Sequence, residues 1–555
     1  MKKLLLMFVA SMTLASCVAS LDDDRNPAQS GEIEESYISI NLMSADPDTR
    51  AADEPTFQEG LADERAVHSA YFFFFQNGQP FPVTVSSGAV TAPGTGANYL
   101  SANLSGSTTG MPNVSDVKNV VLMLRNYKGQ YPNEIVAVLN WIPESGKSYS
   151  MADLKKEVEI KSSLNGGTYF VMSNAVYADA AKKAVETTAL SIDNIFSSET
   201  AAKNNPVQIY VERAAAKVTV TTSGASFNIG KNATIAGVET PVYAKVTGWE
   251  LYNDYQQSYL LKNIDPTWTE TDLGFPWNNL SYYRSYWATS PKTAWGSDNV
   301  FTWNGGYATA LASQVQNGTY AQNTYTYCGE NTGRAAADRT KVILKAKLVT
   351  VSGETETALE LARWYGTEYI GEAALRTAVA NTLKYTYYYK VGDVYHSIEP
   401  TDLQCIVGGG ADAPAGVNAT EVYFQLSGTG DDKAWYKYSS ASGYTECLYT
   451  DVNTGLKSVP SAVIYKNGQT YYYFDIKHLG ASGKTAEYGI VRNHIYSINV
   501  NSISGFGSPI YDSASAIETP QYPDQPNEDG SFVSAQVNIL SWRMVSQGVD
   551  IQPAN

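Results

Sequence analysis

Residues 490–500 read Ile490-Val491-Arg492-Asn493-His494-Ile495-Tyr496-Ser497-Ile498-Asn499-Val500, and the second half of this stretch alternates in polarity. Ile498 and Val500 fall on one side of an extended chain, whereas Ser497 and Asn499 fall on the other. A period of two residues is typical of a β-strand that has one face in the protein core. The stretch therefore predicts a strand near the C-terminal end and favours a fold built on sheets.

Further short runs of apolar, β-branched and aromatic residues have the same character. They predict strands at 70–75, 120–125, 134–139, 207–211, 218–222, 342–350 and 469–476. The spacing of Ala, Leu and Lys predicts helices at 151–160, 179–187, 356–364 and 371–382. Forty tyrosines and 43 glycines, together with frequent Val, Thr and Ile, favour strands over helices in the chain as a whole. We therefore expect a mainly β protein.

Composition limits the class of protein. The chain has 555 residues, which predicts more than one domain. Its formal net charge is −16 and it has no cluster of Lys and Arg, which argues against a nucleic-acid partner. Past residue 20, no apolar stretch is long enough to span a membrane.

No pattern of residues predicts catalysis, a cofactor or a metal. The four histidines (His68, His396, His478 and His494) lie outside any HExxH motif and beside no plausible nucleophile. The stretch 480–485 resembles a phosphate-binding loop, but the spacing of that motif would place its first glycine at His478. Cys328, Cys405 and Cys447 leave either one disulfide and a free thiol or three buried thiols, and we expect the second. The sequence thus predicts that the protein is not an enzyme and has no cofactor and no metal site.

The N-terminus predicts export. Lys2 and Lys3 precede a short apolar run that ends in Leu14-Ala15-Ser16-Cys17, which resembles a bacterial lipobox. This resemblance implies that Cys17 is lipidated and becomes the new N-terminus. The acidic run 21–24 either resembles a surface-export signal or is a solvated part of a tether.

Two further alternating strands lie near the two ends of the chain. Ile38, Ile40 and Leu42 share one face of a strand at 37–42, and the Ser-, Asp- and Pro-rich segment 44–55 that follows contains Arg50. Such a segment predicts an exposed loop that a protease can reach. A Pro/Asp linker at 520–530 precedes the second strand, in which four small or apolar residues alternate with polar ones: Val533, Ala535, Val537 and Ile539.

The segment 249–332 is dense in Trp, Tyr, Asn and Gly. It predicts long insertion loops that pack on a sheet through their own aromatic residues. The alternative is a sugar-binding platform, which would make the protein a surface glycan-binding lipoprotein.

Several motifs together resemble the type V fimbrilins of Bacteroidetes, and most closely the shaft subunit of minor fimbriae. The stretch 492–501 followed by Gly505-Phe506-Gly507-Ser508-Pro509 resembles the C-terminal core motif of that family. The stretch 211–217 resembles the passage between its two domains, and the Pro/Asp linker before a terminal strand with Trp542 is similar as well. The resemblance implies a mainly β fold with two β-sandwich (transthyretin-like) domains, a few short helices and long loops.

The resemblance also implies a division of the chain. The expected parts are a lipoprotein signal peptide at 1–17, a propeptide with a removable strand at 18–50, an N-terminal sandwich at 51–212, a C-terminal sandwich with the Trp/Tyr-rich insertion at 213–519, the linker at 520–530 and a donor-strand segment at 531–555.

The family mechanism implies a role for each end of the chain. The lipidated precursor would reach the outer membrane, and an Arg-specific protease would cut between Arg50 and Ala51. The strand with Ile38, Ile40 and Leu42 would leave, and the terminal strand of a neighbouring subunit would replace it. The implied partners are further copies of this chain, fimbrial anchor and tip subunits, the protease and surface receptors on host or bacterial cells, within a cell-surface fimbrium that supports adhesion and biofilm. A tip or anchor subunit is the alternative within the family.

Overall fold

The computed structural model describes residues 33–43, 60–83, 96–102, 117–127, 131–178, 184–196, 198–264, 271, 288–291, 301–302, 325–428, 433–478, 482–511, 516–517, 532–540 and 544–546. Within these ranges the chain is mainly β, which confirms the predicted fold class. The described helices are α1 (Met151–Leu154), α2 (Glu199–Asn204), α3 (Glu372–Leu383) and α4 (Tyr449–Leu456).

The N-terminal part of the chain forms one large sheet and three small hairpins or ladders. Its strands are β1 (Ile33–Met43), β2 (Ala70–Gln76), β3 (Gln79–Pro80), β4 (Tyr99–Ser101), β5 (Val117–Tyr127), β6 (Glu134–Leu139), β7 (Glu157–Glu159), β8 (Lys161–Leu164), β9 (Gly167–Phe170), β10 (Met172–Asn174), β11 (Tyr177–Ala178), β12 (Ala184–Val185), β13 (Thr188–Ala189) and β14 (Val207–Arg213). The large sheet has the order β3-β2-β6-β10-β14-β1-β5, with β4 also on β2 and β13 on β6.

The aromatic run of β2 is continuous because both faces of this part of the sheet are buried. Phe72 and Phe74 pack in one apolar cluster with residues of β5, β6 and β14. Phe73 and Phe75 pack in another, together with Tyr149. Alternation along the strand sends successive rings to opposite faces, so each side of the sheet has its own core.

The second part of the chain begins with β15 (Ala216–Thr222), β16 (Ser226–Ile235), β17 (Val238–Tyr252), β18 (Gln257–Tyr259), β19 (Phe301–Thr302), β20 (Tyr325–Cys328), β21 (Lys341–Ser352) and β22 (Thr355–Ala358). Its remaining strands begin at residue 469.

A module follows β22, and its strands are β23 (Leu361–Trp364), β24 (Thr367–Ile370), β25 (Tyr387–Val391), β26 (Val394–Ser397), β27 (Leu403–Val407), β28 (Val422–Leu426), β29 (Ala434–Ser439), β30 (Gly443–Cys447) and β31 (Val463–Tyr465). Residues between Ala362 and Ile464, including those of α3 and α4, form an apolar cluster of their own. We call residues 362–464 the inserted module.

The last strands are β32 (Gln469–Asp475), β33 (Ile495–Ser504), β34 (Ser508–Pro509), β35 (Ala516–Ile517), β36 (Phe532–Leu540) and β37 (Met544–Ser546). Two sheets face each other across one core. The first has the order β20-β15-β33-β36-β37, and the second has the order β16-β17-β21-β32-β34 with β22 on β21. Val218 and Ile498 of the first sheet pack with Leu344 and Phe474 of the second, so this part is a β-sandwich.

The strand predictions agree with the structure, whereas three helix predictions do not. Of residues 151–160, only the first four are helical, because β7 pairs with β18 instead. Residues 184–185 belong to a strand that pairs with β11, and β22 and β23 occupy most of 356–364. In each case a pairing partner elsewhere in the chain outweighs the local helical spacing. The helix predicted at 371–382 is confirmed as α3.

Candidate functional site

The strand β1 lies inside the N-terminal sheet, between β14 and β5. It pairs antiparallel with β5 over eleven residue pairs, from Ile33 with Tyr127 to Met43 with Val117. It pairs parallel with β14 over four pairs, from Ile40 with Val207 onward. Ile38 is fully buried and packs in the same cluster as Leu122 and Ile209. This strand therefore fills a position that would otherwise leave two strand edges without a partner.

The described residues do not include every predicted site. Cys17, Arg50, Ala51, the linker at 520–530 and most of the Trp/Tyr-rich segment lie outside them. The backbones of Ile40 and Leu42 lie in β1, and those of Val533, Ala535, Val537 and Ile539 lie in β36. The lipidation, cleavage, displacement and donor roles of these residues stay predictions.

The C-terminal strand β36 pairs antiparallel with β33 of its own chain. The register contains nine pairs, from Ile495 with Leu540 to Ser504 with Phe532, and it shifts between Val500 and Ser502. On its other side β36 contacts β37, to which it is joined as a hairpin. The strand β33 thus holds the C-terminal strand on one edge and β15 on the other.

Where β14 ends and β15 begins, the chain crosses from the N-terminal sheet to the sandwich. Arg213 donates from Nε to the Glu64 carbonyl oxygen at 2.5 Å and from Nη1 to Asn493 Oδ1 at 3.1 Å. The backbone N–H of Asn493 in turn donates to the Ala215 carbonyl oxygen at 2.7 Å. Residues of three distant stretches therefore meet at this crossing.

The carboxylate of Glu64, which precedes β2, accepts bonds from two strands of the second part of the molecule. Lys217 Nζ lies 2.7 Å from Glu64 Oε1, and the hydroxyl of Tyr327 donates to the same oxygen at 2.5 Å. Burial opposes ionisation of Glu64, but the bonds from Lys217 and Tyr327 outweigh it and lower the pKa of this carboxyl. Burial, with the Glu64 carboxylate next to it, raises the pKa of Tyr327. Glu64 is therefore an ionised, hydrogen-bonded group that ties the short turn before β2 to β15 and β20.

A second ion pair at the crossing is completely buried. Arg492 Nε and Nη2 both approach Glu330 Oε2 at 2.7 Å, and neither side chain is exposed. The same guanidinium donates to Ser258 Oγ at 3.0 Å and to the Tyr259 carbonyl oxygen at 2.7 Å. Because every charge here has partners, the pair joins the 258–260 segment to the beginning of β33 without leaving a bare buried charge.

Two histidines lie next to this ion pair in the core. The rings of His478 and His494 are 5.2 Å apart, and the Tyr496 hydroxyl lies 2.9 Å from His478 Nδ1. The backbone N–H of Val491 donates to the same hydroxyl at 2.7 Å. Burial, with His494 and Lys262 nearby, holds the pKa of His478 well below its usual range. His478 is thus a neutral structural residue.

In the segment 505–509, Gly507 lies where the backbone passes very close to β32. Gly507 has φ +73°, and a Cβ there would collide with the Thr470 hydroxyl. Its carbonyl accepts from the Tyr465 hydroxyl at 3.0 Å, while Phe506 is buried in the sandwich core. Glycine is needed here for both its backbone conformation and its lack of a side chain.

Among the described residues, three kinds of feature are absent: a metal site, a disulfide and a membrane-spanning helix. In these ranges no three His, Cys, Asp or Glu side chains are placed to hold a metal ion. Cys328, Cys405 and Cys447 make no disulfide. No helix among the described residues combines the length and the apolar character that a membrane span requires.

Sequence reasoning missed Glu64, Tyr327 and Glu330. Each lies far along the chain from its partner: Glu330 is 162 residues from Arg492, and Glu64 is 153 from Lys217. The sequence does contain one pattern that points to such partners, which is the group of charged residues in the strand-like stretch 211–217. Charges in a buried strand need buried counter-charges.

A family model matches residues 463–548, and its description is major fimbrial subunit protein type IV, fimbrillin, C-terminal. The match includes β32, β33 and β36, and it confirms the resemblance to fimbrilins over the residues it covers. No curated protein sequence matches the chain.

Solved structures from Bacteroidetes give weaker likenesses. A protein proposed to act in cell adhesion, from Bacteroides eggerthii, is 9% identical with a TM-score of 0.35, over 92% of this chain and 97% of that one. A fimbrilin from Porphyromonas gingivalis is 12% identical with a TM-score of 0.32, over 92% and 98%. A tip fimbrial protein from the same organism is 11% identical with a TM-score of 0.28, over 92% and 100%. These three TM-scores are below 0.5, so the likenesses support no inference about this chain.

The matched family consists of structural pilin subunits and not of enzymes, in agreement with the prediction. The match supports a fimbrial subunit role for this chain at the cell surface.

Proposed function

We propose that this chain is the shaft subunit of a fimbrium, exported as a lipoprotein through Cys17 and activated by proteolysis after Arg50. In this proposal the cut removes β1, and the C-terminal strand β36 of a neighbouring subunit takes its place. The contact repeats from head to tail without closing on itself, so it produces a filament.

The position of β1 carries the proposal. The whole strand precedes Arg50 in the chain, so one cut separates it from the rest of the protein. Its loss would leave the edges of β14 and β5 open beside the cluster that buries Ile38. Unpaired strand edges over an apolar groove accept an added strand readily.

The anchored strands on both sides of the vacated position favour transfer of β36 to the groove. On its own chain β36 has nine pairs with β33, and its other neighbour is only the hairpin strand β37. In the groove it would lie between two anchored strands, which offer β1 eleven pairs on one side and four on the other. Three side chains (Val533, Val537 and Ile539) at about 1.5–3 kcal/mol each, with hydrogen bonds at about 1 kcal/mol each, would give on the order of 10 kcal/mol before association costs.

Controlled proteolysis tests the cleavage step. Purified precursor is treated with trypsin and followed by denaturing gels, mass spectrometry and electron microscopy. We expect a new N-terminus at Ala51, multimers that depend on cleavage, and a monomeric precursor for Arg50→Ala. Arg25→Ala is the matched control, since it removes another arginine of the propeptide and should still polymerise. Multimers from Arg50→Ala, or a mature N-terminus elsewhere, would contradict the proposal.

Truncation after Gly530 tests the donor strand separately. The shortened chain should be cleaved at Arg50 at the normal rate but should form no fibres. Fibres of normal length from this variant would exclude β36 as the donor.

Lipidation has its own test, since it precedes assembly. Cells grown with labelled palmitate should incorporate label into the precursor, and Cys17→Ala should abolish it. Label retained in Cys17→Ala would contradict the assignment, and label retained in the polymer would favour an anchor subunit, which keeps its lipid.

A tip subunit is the other alternative within the family, and the terminal strand distinguishes the two. A tip subunit needs no donor strand, whereas this chain has β36. Immunogold labelling along the whole fibre is expected for a shaft subunit, and labelling at one end only would favour the tip.

A further inference from the structure

The inserted module carries an aromatic surface for which fibre assembly gives no reason. Its four-stranded sheet has the order β26-β25-β29-β30. One face, with Tyr387, Tyr389 and Trp435, packs into the core of the module. The other face bears five tyrosines, which we call the tyrosine face: Tyr388, Tyr395, Tyr436, Tyr438 and Tyr444.

The rings of the tyrosine face touch one another across all four strands. Tyr395 and Tyr444 come from the two outer strands, and their rings stack in parallel with the ring centroids 3.9 Å apart. Tyr388 meets Tyr444 edge-on at 5.0 Å, and Tyr436 meets Tyr395 edge-on at 5.0 Å. Tyr438 and Tyr444 remain 40% and 41% exposed. These contacts hold the rings in fixed positions, while Tyr438 and Tyr444 keep part of their surface open to solvent.

Charge on this face is nearly balanced. The register places Lys390 and Glu446 there, one cation and one anion, and Lys390 Nζ lies 3.6 Å from Asp393 Oδ1. Val391 and Val394, at the adjoining hairpin tip, are both exposed. The surface is therefore aromatic and rich in hydroxyls, with neither a cationic nor an anionic field of its own.

We propose that the tyrosine face is a binding site for neutral polysaccharide. A sugar ring presents a face of polarised C–H groups, which suits the negative face of an aromatic ring, and its hydroxyls suit the phenolic hydroxyls. The chain as a whole carries a formal charge of −16, so an anionic polymer is repelled at long range, whereas a neutral polymer is not.

Rigid presentation of the rings strengthens the inference. Tyrosine offers a large contact area with few rotatable bonds, and mutual stacking restricts those bonds further before a ligand arrives. The module is closed around its own apolar cluster, so ligand binding at its outer face is independent of the assembly strands. If subunits polymerise, repeated copies of a weak site would add avidity.

Affinity electrophoresis of the intact precursor tests the proposal. Native gels contain galactomannan, xyloglucan or dextran as neutral polymers, and polygalacturonate as an anionic one. We expect retardation in at least one neutral gel, with affinity reduced about fivefold to tenfold or more by Tyr438→Ala with Tyr444→Ala. Tyr365→Ala is the matched control, because this tyrosine of the same module is 70% exposed and lies outside the face.

The variants must fold for the result to count, so their thermal unfolding is compared with that of the parent chain. Tyr438→Phe with Tyr444→Phe keeps both rings and should retain most of the retardation, which separates stacking from a loss of structure. Three results would overturn the proposal: no retardation in any neutral gel, equal retardation of the double alanine variant, and retardation only in polygalacturonate. Chromatography that shows the face holding a dimer, with no effect of polysaccharide, would instead assign it to a second copy.

Discussion

Two buried arginines show how single residues join the parts of this molecule. Arg213 reaches Glu64 and Asn493, and Arg492 reaches Glu330, Ser258 and Tyr259. A planar guanidinium with several donors can serve all of these partners at once, which a lysine could not do. Such residues specify which segments meet, because any other arrangement would leave a charge buried alone.

Removal of one partner from the buried ion pair should be costly. Arg492→Ala leaves Glu330 without its counter-charge in a site with no exposure, so we expect a loss of about 3–5 kcal/mol in the free energy of unfolding. Urea denaturation measures the loss. Lys203→Ala is the control, since its ion pair with Glu199 is more than half exposed and should change stability by less than about 1 kcal/mol. Equal effects of the two variants would contradict the role given to Arg492.

The buried His478 should make the protein sensitive to acid. Burial holds its pKa well below the usual histidine range in the folded protein, so the unfolded chain binds a proton more readily. The stabilisation is complete above about pH 6.5 and is lost progressively as the pH falls below that value. Thermal unfolding between about pH 7.5 and pH 5 should show this loss, and His478→Gln should flatten the profile. The exposed His68 provides the control, and a profile flattened equally by His68→Gln would contradict the assignment.

Among the elements, β1 differs from its neighbours in where its sequence lies. It is an interior strand of the N-terminal sheet, yet all of it precedes Arg50 in the chain. A strand at the end of a chain can be removed without breaking any other connection. In the proposed mechanism, the same sheet would exist first with its own strand and then with one from another chain.

Ile38→Ala should weaken the uncleaved precursor only. The side chain is fully buried, so its truncation should cost about 2–5 kcal/mol of stability. After cleavage at Arg50 the variant and the parent have the same sequence, and their unfolding curves should coincide. Ser39→Ala, at the next position of the strand and therefore on its opposite face, is the control. A difference that persists after cleavage would show that the propeptide strand had not left.

On the scale of the whole molecule, an acidic chain is expected to assemble against its own charge. Residues 1–50 carry eight acidic and four basic side chains, so the cleaved subunit keeps a formal net charge of −12 and repels the next subunit until the short-range contacts form. The proposed fibre would therefore require strand pairing and apolar burial strong enough to overcome this repulsion.

Salt should accelerate polymerisation of the cleaved protein. Screening shortens the range of the repulsion, so fibre formation should be faster in about 300 mM than in about 20 mM sodium chloride. Light scattering after a trypsin pulse measures the rate, and sucrose at equal osmolality serves as the control. A rate that falls with added salt would mean that attraction between complementary charges, and not repulsion, governs the encounter.

The sequence alone was sufficient for most of the strands. The alternation in 495–504 and the aromatic run in 70–75 are local patterns, and β33 and β2 lie where those patterns place them. The predicted faces also agree, since Ile498 and Val500 are both fully buried. Local periodicity suffices here because a strand alternates its side chains whatever its partner is.

Which segments pair with each other depends on contacts between distant parts of the chain. Residues 157–159 and 361–364 are strands because partners at 257–259 and 463–465 pair with them, although their own spacing favours helix. Glu64 and Glu330 gain their roles from residues about 150 positions away, and the tyrosine face exists because four strands bring their rings together. Such contacts depend on long-range pairing and on the burial of charge, and neither leaves a repeating pattern within the few neighbouring residues that sequence periodicity can report.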